Sequence, residues 1–396
     1  MKIKRRSLCF FEIEEQTQPD LSALLRGVVR LAPATSISLL CSLTGERLEL
    51  TAEELYFIAS LPADWIEGSS VSKPSLPEGS LSRLIGIGAL LSDDASDEKS
   101  ATLTLAEKTR KEIGWHPLAH LYHGMTRWND KRTPDATEDM GIEHRQAQLM
   151  RHAAVHGAIP THFPMHPVGP HKVALSECLS PDNFEEVLLQ RKTTRHFDRS
   201  IALPEAKFSR LLHLTFGAIG KEDLAPGMTA LRRTSPSGGA LHPIEAYPLI
   251  MSVEGVEPGL YHYESGNHHL NCLKPMALED ARKLAEALVI GQTYFAEAAA
   301  LVFHVARLDR HHWKYRNHPK AYRAVTLDSG HLSQTFYLLA THLGLGAFYT
   351  AAVNDANLEE LLGLDSLKNM VVGANGIGVI DSSKNNLHLS PVPLFN

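Results

Sequence analysis

The chain has 396 residues, of which 43% are hydrophobic and 21% charged, values typical of a globular protein that is long enough for two domains. Its net charge of -6 argues against a dedicated nucleic-acid-binding protein, because such a protein needs a concentrated positive face. The 4 cysteines are widely separated and show no CxxC spacing. We therefore predict a reducing compartment, with neither a disulfide framework nor a structural zinc site.

No segment of the sequence has the pattern of a membrane span or a secretion signal. Glu12, Glu14 and Glu15 interrupt the apolar residues near the N-terminus, so these lack the apolar core of a signal peptide. The longest apolar stretch, residues 336–353, contains His342 and is short for a bilayer span. The expectation is a cytoplasmic protein that does not interact with membranes.

Residues 1–100 predict a small α/β module. Residues 37–43 and 47–50 have strand-like patterns, and Thr51 with Glu54 forms a capping-box signature at the start of a helix. The module resembles the winged-helix-like domains that peptide-modifying enzymes use to bind the leader of a precursor peptide. A purely structural appendage is the alternative.

Residues 101–180 predict a helical connector followed by loop. The helical pattern runs from Thr104 to about Asp130 with a break near Pro117, and residues 133–139 and 158–172 have loop composition. Several aromatic side chains of this connector could face an active site, although packing against the core is the favoured interpretation. They are Trp115, Tyr122, His123 and Trp128.

Residues 181–396 predict an α+β domain in which helices cover a mixed sheet, because helices and strands alternate without a regular βαβ repeat. Strands are expected at residues 246–253, 259–263, 299–306, 349–353 and 371–380. A long helix is expected at residues 322–343, and its apolar positions fall on one stripe. The stripe consists of Leu332, Phe336, Leu339 and Leu343.

A basic segment opens this domain. Arg191, Lys192 and Arg195 provide positive charge, and Thr193 adds a hydroxyl donor, so the segment is suited to a phosphate. A solvated basic helix end is the alternative interpretation of the segment taken alone.

Two glycine-containing motifs accompany the basic segment. The turn formed by Pro236, Ser237, Gly238 and Gly239 has small residues where the backbone can approach a ligand closely, and Gly344 and Gly346 form a second such pair. An ordinary turn is the alternative. Together with the basic segment, these motifs favour an FMN site.

Residues 184–380 resemble the nitroreductase-type flavoproteins and, more narrowly, the SagB-type dehydrogenases, which are the azoline oxidases of thiazole- and oxazole-containing peptides. The matching positions are Arg191, Thr193, Arg195, Phe197, residues 236–240, Pro243, residues 259–263, residues 313–315, Tyr322, Arg323, Gly330, His331, Gln334 and residues 344–346. The resemblance implies an FMN cofactor, a homodimer with the flavin at the subunit interface, and a catalytic pair at Lys314 and Tyr315.

The chemistry of this resemblance is a two-electron oxidation. Oxidising an azoline to an azole removes a proton from one ring carbon and a hydride from its neighbour, and an amine or phenolate can take the proton. For Lys314 this interpretation requires partial burial against Trp313 and a flavin ring. A basic surface loop that leads into a helix is the alternative for residues 310–318.

The predicted function is that of an FMN-dependent dehydrogenase in the maturation of a ribosomally made peptide, with the precursor peptide and a cyclodehydratase as partners. The alternatives are an NAD(P)H-dependent nitro- or quinone-type reductase and a degenerate flavin-fold scaffold. Lys384 is the basic residue that the C-terminal end offers to a phosphate. No GxGxxG follows a strand, and the 22 histidines include no HExxH, so neither a Rossmann site nor a metal site is predicted.

Overall fold

The computed structural model describes residues 1–70, 76–133, 141–160, 182–225 and 228–384. The predicted loops at residues 133–139 and 158–172 fall largely outside these ranges.

The described residues group into two compact units. The first comprises Met1–Asn129, Arg307–Val325 and Glu359–Met370, and the second comprises Asp130–Ala306, Thr326–Leu358 and Val371–Asn396. The division into residues 1–100, 101–180 and 181–396 stays a prediction.

The N-terminal part of the first unit alternates short strands and helices. Its strands are β1 (Lys2–Arg5), β2 (Phe10–Pro19), β3 (Leu31–Leu40), β4 (Arg47–Leu50), β5 (Ile66–Glu67) and β6 (Leu90–Ser92). Its helices are α1 (Leu21–Leu24), α2 (Ala52–Ser60), α3 (Ser80–Gly86), α4 (Glu98–Ile113) and α5 (Pro117–Thr126). The predicted break at Pro117 is confirmed, since α5 begins at that residue.

Two small sheets in the first unit enclose a hydrophobic core. Their strand orders are β5-β1-β6 and β2-β3-β4. The core includes Leu39, Phe57, Ile58 and Leu84, each at most 2% exposed. The predicted capping box is confirmed, because the Thr51 hydroxyl accepts the Glu54 N–H at 3.2 Å and the Glu54 carboxylate accepts the Thr51 N–H at 3.0 Å. The winged-helix-like resemblance stays a prediction.

Strands β2 and β3 form a long antiparallel ribbon that the sequence did not predict in full. They pair from Phe10 with Leu40 to Pro19 with Leu31. Around the tip of the ribbon, Leu25 is 90% and Val29 88% exposed. The first unit therefore presents an apolar surface at the end of a strand pair whose outer strand is β2.

The remaining helices and strands lie between residues 141 and 378. The helices are α6 (Gly141–His156), α7 (Asn183–Gln190), α8 (Glu205–Phe216), α9 (Leu278–Leu288), α10 (Thr293–Ala296), α11 (Leu308–Lys314), α12 (Ala321–His342) and α13 (Asp355–Leu362). The strands are β7 (Gly220–Ala225), β8 (Met228–Arg232), β9 (Ile244–Ile250), β10 (Gly259–Glu264), β11 (His269–Pro275), β12 (Ala300–Arg307), β13 (Gly346–Thr350) and β14 (Asn369–Gly378).

The second unit is built on a sheet with the strand order β11-β10-β9-β12-β14-β13. The predicted α+β architecture with a mixed arrangement of strands and covering helices is thereby confirmed. Strand β13 begins at Gly346 rather than at the expected residue 349. On α12, Leu332 and Phe336 are 4% and 0% exposed, so this part of the apolar stripe fills the core of a single chain.

Among the described residues, no helix combines the length and apolar character needed to cross a membrane.

Candidate active site and cofactor site

The basic segment is fixed to the sheet of the second unit by its own backbone. Arg191 ends α7, and three residues later the Thr194 N–H donates to the carbonyl of Ala347 in β13 at 2.8 Å. Thr194 is 1% exposed, and a Cβ on Gly346 would lie 2.6 Å from its Cγ2 atom. The structure therefore brings Gly346 together with the basic segment, and only glycine allows so close an approach.

Tyr337 of α12 contacts two of the predicted phosphate ligands, and it was missed by the sequence analysis. Its hydroxyl lies 3.3 Å from the Thr193 Oγ1 atom, and its ring centroid lies 5.3 Å from the Arg191 Cζ atom. The second contact has the geometry of a cation–π interaction. One aromatic side chain thus orients a guanidinium and a hydroxyl of the same segment.

The downstream end of the basic segment is also held by the sheet. Phe197 forms an isolated bridge with Ile380, and the Asp198 N–H donates to the carbonyl of Val379 at 2.9 Å. Phe197 is buried against Gly378, where a Cβ would lie 2.8 Å from its ring. The segment is fixed at both ends, while Arg191 and Arg195 remain half-buried and Lys192 exposed. This set of cationic and hydroxyl donors fits a phosphate group.

The predicted glycine-containing turn is held by a buried carboxylate, Asp328 of α12, which is 4% exposed. The Ser237 hydroxyl donates to Asp328 Oδ2 at 2.5 Å, and the Gly238 N–H donates to Asp328 Oδ1 at 2.9 Å. The Ser237 hydroxyl also accepts the His242 N–H at 2.9 Å. In the single chain these groups of Ser237 and Gly238 thus hold the turn, and contact with FMN stays a prediction for Ser237, Gly238, Gly239 and the exposed Pro236.

The turn carries backbone strain at residues other than glycine. Gly239 has a φ of 65°, which suits glycine, but Ala240 and His242 have φ values of 56° and 46°. Such conformations persist where the surroundings enforce them, and they concentrate at functional sites. Asp328 and Tyr337 are nine residues apart on α12, which corresponds to about 14 Å along the helix axis. The same helix therefore contacts the turn and the basic segment at two separate points.

A buried polar network lies next to Asp328 along α12. The Ser329 Oγ atom is 2.8 Å from His304 Nδ1 and 3.1 Å from the Tyr349 hydroxyl. Burial lowers the pKa of His304 to about 3 and raises the pKa of Tyr349. Both groups are therefore neutral near pH 7 and give the sheet polar contacts to α12 without a buried charge.

Two other predicted residues have visible structural roles. Gly344 follows α12 with a φ of 70°, the left-handed conformation with which glycine ends a helix. Lys384 pairs with Asp381, with 3.6 Å between the Nζ and Oδ2 atoms. Contact of Gly344 with a cofactor stays a prediction.

Lys314 and Tyr315 belong to the first unit. They lie at the end of α11, so residues 308–314 form a helix where the alternative interpretation placed a surface loop, and the Tyr315 N–H caps this helix by donating to His311 O at 3.2 Å. The Lys314 Nζ atom is 5.7 Å from the centroid of the Tyr315 ring. Trp313 is 65% exposed and Lys314 is exposed as well. In the single chain Trp313 therefore does not bury Lys314, and the catalytic role of Lys314 and Tyr315 stays a prediction.

Aromatic and histidine rings gather around Trp115 in the first unit. The rings of His120, His123 and His312 have centroids within 5.3 Å of the Trp115 ring. Trp115 is 1% exposed, which confirms for this residue the favoured interpretation of packing in a core, whereas Tyr122 is 60% exposed and does not follow it. Within the described part of the chain, no group of three or more histidine, cysteine or acidic residues is arranged to hold a metal ion.

Comparison with known proteins shows which family this chain resembles. The profile of the Nitroreductase family matches residues 188–379. The protein MJ1384 of Methanocaldococcus jannaschii, which is named as a nitroreductase, is 32% identical over 179 residues, covering 45% of this chain and 83% of that protein.

Two further relatives are named for the processing of peptides. The trifolitoxin-processing protein TfxB of Rhizobium leguminosarum bv. trifolii is 34% identical over 137 residues, which cover 34% of this chain and 36% of TfxB. The microcin B17-processing protein McbC of Escherichia coli is 28% identical over 151 residues, which cover 36% of this chain and 52% of McbC. The chain thus spans about a third of one and half of the other. The resemblance drawn from the sequence motifs is confirmed, and the chain belongs to the nitroreductase family.

Proposed function

We propose that this chain is an FMN-dependent dehydrogenase that oxidises azolines to azoles in a ribosomally made peptide. The observation that carries the proposal is the basic segment of a nitroreductase-family domain, fixed by β13 and by Tyr337 of α12. The similarity to two proteins named for the processing of trifolitoxin and microcin B17 supports the peptide substrate.

Arg191, Lys192, Thr193 and Arg195 would hold the phosphate of FMN. Charge-assisted hydrogen bonds from guanidinium groups are the strongest that a phosphate receives from side chains, and the fixed backbone lowers the entropy lost on binding. Gly239 would leave room for the cofactor next to the backbone, and Gly346 would serve it indirectly by letting Thr194 of the basic segment lie close to β13. Bound FMN supplies the two-electron acceptor of the oxidation.

Lys314 and Tyr315 would handle the proton of the same reaction. Loss of a hydride from one ring carbon makes the proton on the neighbouring carbon acidic, and a positioned amine or phenolate takes it. The short distance between the Lys314 amine and the Tyr315 ring supports a joint role for the two side chains. Exclusion of water around Lys314 would then come from the cofactor, the substrate or a second subunit.

A homodimer is part of the proposal, supported by α7 of the second unit. Phe184 is 61% and Leu189 75% exposed on this helix, although both side chains are apolar. A groove of about 570 Å³ beside α7 is lined mainly by apolar side chains. They include Phe184, Val187, Leu214, Leu338 and Leu339. A second copy of the chain that covers this face would bury its apolar side chains. Leu332 and Phe336 face the core of the single chain and need no such partner.

Residues 1–100 would bind the leader of the precursor peptide. Strand β2 is the outer strand of its sheet, so its free edge can accept an extended peptide as an additional strand. The exposed apolar tip of the ribbon offers side-chain contacts next to that edge. The azolines themselves would come from a cyclodehydratase, the class of enzyme that closes such rings, as a second partner.

The decisive experiment measures the bound cofactor and then the substrate. The purified chain should be yellow and release FMN on denaturation, and it should convert the thiazoline of a modified peptide to a thiazole. A colourless chain that FMN cannot reconstitute would support the scaffold alternative. Turnover of a nitroaromatic with NAD(P)H, without peptide oxidation, would support the reductase alternative, which the similarity to MJ1384 favours.

A further inference from the structure

Of the two residues proposed for proton transfer, Lys314 is exposed and Tyr315 half-buried, and the chain on both sides of them is held tightly within the first unit. Before them, the His312 ring is 2% exposed, and its centroid lies 4.6 Å from the Trp115 ring. After them, the Asn317 N–H donates to the carbonyl of Gly114 at 2.7 Å. Two consecutive residues at the end of α4, Gly114 and Trp115, thus hold both flanks of the pair.

Trp115 is itself fixed by its surroundings. Its Nε1–H donates to the carbonyl of Leu367 at 2.8 Å, and the His123 ring stacks on it at 5.3 Å with an interplanar angle of 28°. Burial lowers the pKa values of His123 and His312 to about 4, so both rings are neutral near pH 7. The contact between Trp115 and α11 is therefore a buried contact between uncharged rings, without charge repulsion between the imidazoles.

Gly114 is held in a conformation that favours glycine. Its φ is 83°, and an added Cβ would lie 3.1 Å from the Cζ atom of Arg316, the residue after Tyr315. The Arg316 guanidinium donates to the carbonyl of Glu112 at 2.5 Å, at the end of α4 where the helix dipole favours a cation. An alanine at position 114 would displace this side chain and strain the backbone next to the pair.

We propose that Gly114 and Trp115 are positioning residues that fix Lys314 and Tyr315 for proton transfer, which makes α4 and α5 part of the catalytic apparatus rather than a connector. The inference rests on the proposed function of the pair. An immobile backbone at the end of this short helix limits the positions that the exposed Lys314 amine and the half-buried Tyr315 hydroxyl can reach. A displacement of about 1 Å at a reacting group can lower a rate about 100-fold.

Amide hydrogen exchange tests the positioning without any substrate. In Gly114→Ala and in the milder Trp115→Phe, exchange across residues 312–317 should be about tenfold faster than in the wild type, with FMN content unchanged. Gly86→Ala is the matched control in the same unit, because a Cβ there meets no atom within 4 Å. Wild-type exchange of residues 312–317 in both variants would overturn the inference.

Measurements of turnover test whether Gly114 and Trp115 act through Lys314 and Tyr315. The substrate is a short peptide that bears one thiazoline. Each variant should lower kcat per bound FMN about 10- to 100-fold and leave KM unchanged. In a Lys314→Ala/Tyr315→Phe background, Gly114→Ala should lower the rate no further, and an additive loss would overturn the inference. Failure of the FMN-loaded wild type to oxidise the peptide would instead contradict the proposed function, while hydrogen exchange still decides the positioning.

Discussion

The two segments proposed for chemistry are fixed in different ways. The basic segment is held by its own backbone, with Thr194 bonded to β13, and its charged side chains stay accessible to a ligand. The segment around Lys314 and Tyr315 is held by one backbone hydrogen bond, from Asn317 to Gly114, and by buried side chains, with His312 packed on Trp115. Anion binding depends on donors that a fixed main chain presents. Proton transfer depends on the orientation of two side chains, so its support lies in the core beneath them.

The largest expected effect concerns the proton-transfer pair. Lys314→Ala and Tyr315→Phe should each retain FMN and lose about 10²- to 10⁴-fold in turnover per bound FMN, the range of a positioned acid or base. The pH profile should also lose one limb. A wild-type rate per flavin in both variants, measured by thiazole formation, would assign the pair to a structural role.

The stability of the protein at low pH should depend on His120, whose ring packs against Trp115. Burial, followed by the charge of Arg110, lowers the pKa of His120 from 6.5 to about 3. The unfolded chain binds this proton more readily, so the stability contribution is complete above pH 6.5 and is lost as the pH falls from 6.5 toward 3. One such histidine contributes on the order of 4 kcal/mol over that range.

Tryptophan fluorescence can follow this acid transition, because Trp65, Trp115, Trp128 and Trp313 all lie in the first unit. His120→Phe should move the transition to lower pH. Neither ring nitrogen of His120 has a hydrogen-bond partner among the described residues, so the substitution breaks no such bond. An identical transition in this variant would show that His120 does not control acid stability.

The basic segment should respond through cofactor affinity rather than turnover. Arg191→Ala and Arg195→Ala should each weaken FMN binding about 10- to 100-fold, since a hydrogen bond to a charged group contributes about 1.5–3 kcal/mol. Titration of the apoprotein with FMN measures the change. Arg199→Ala, an exposed arginine beyond the motif, is the control and should bind FMN as the wild type does. If Arg191→Ala and Arg195→Ala bind FMN as tightly as Arg199→Ala, Arg191 and Arg195 do not hold the phosphate.

The close approach of Gly346 to Thr194 should be sensitive to one added methyl group. Gly346→Ala should cost about 1–3 kcal/mol of unfolding free energy, because its Cβ would overlap the Thr194 Cγ2 atom. Adding Thr194→Ser deletes that atom and should recover part of the loss. Thermal unfolding of the single and double variants measures both effects, and a single variant as stable as the wild type would contradict the steric argument.

Tyr337 should give the smallest effect. Tyr337→Phe removes the hydroxyl near Thr193 but keeps the ring beside Arg191, so FMN affinity should fall about 2- to 10-fold. Tyr337→Leu also removes the ring and should weaken binding by a further factor of about 2 to 5. If both variants bind FMN like the wild type, Tyr337 does not orient the segment.

Local signals predicted the elements that depend on local chemistry. The capping box at Thr51 and the break at Pro117 are set by a few neighbouring residues, and the α+β architecture and nitroreductase resemblance followed from motifs. The acidic strand β2 was missed, because Glu14 and Glu15 do not resemble a half-buried strand. Its pairing with β3 provides the strand conformation that its composition does not indicate.

The supports of the candidate site were missed for a different reason. Asp328 and Tyr337 have ordinary positions in a long helix, and only the fold brings them to Ser237 and Thr193. The start of β13 was misplaced for the same reason, since the contact of Gly346 with Thr194 joins distant parts of the chain. Sequence motifs thus identify groups that meet a ligand more readily than the partners that hold them.

The β2–β3 ribbon has a consequence for handling the protein. Glu14 and Glu15 are exposed on the outer strand, where their charges oppose edge-to-edge pairing between copies. High salt screens such charges but does not weaken apolar contacts between copies at the tip around Leu25 and Val29. Concentrated stocks will therefore keep best in buffers of low ionic strength, and salting-out steps will favour precipitation through this ribbon.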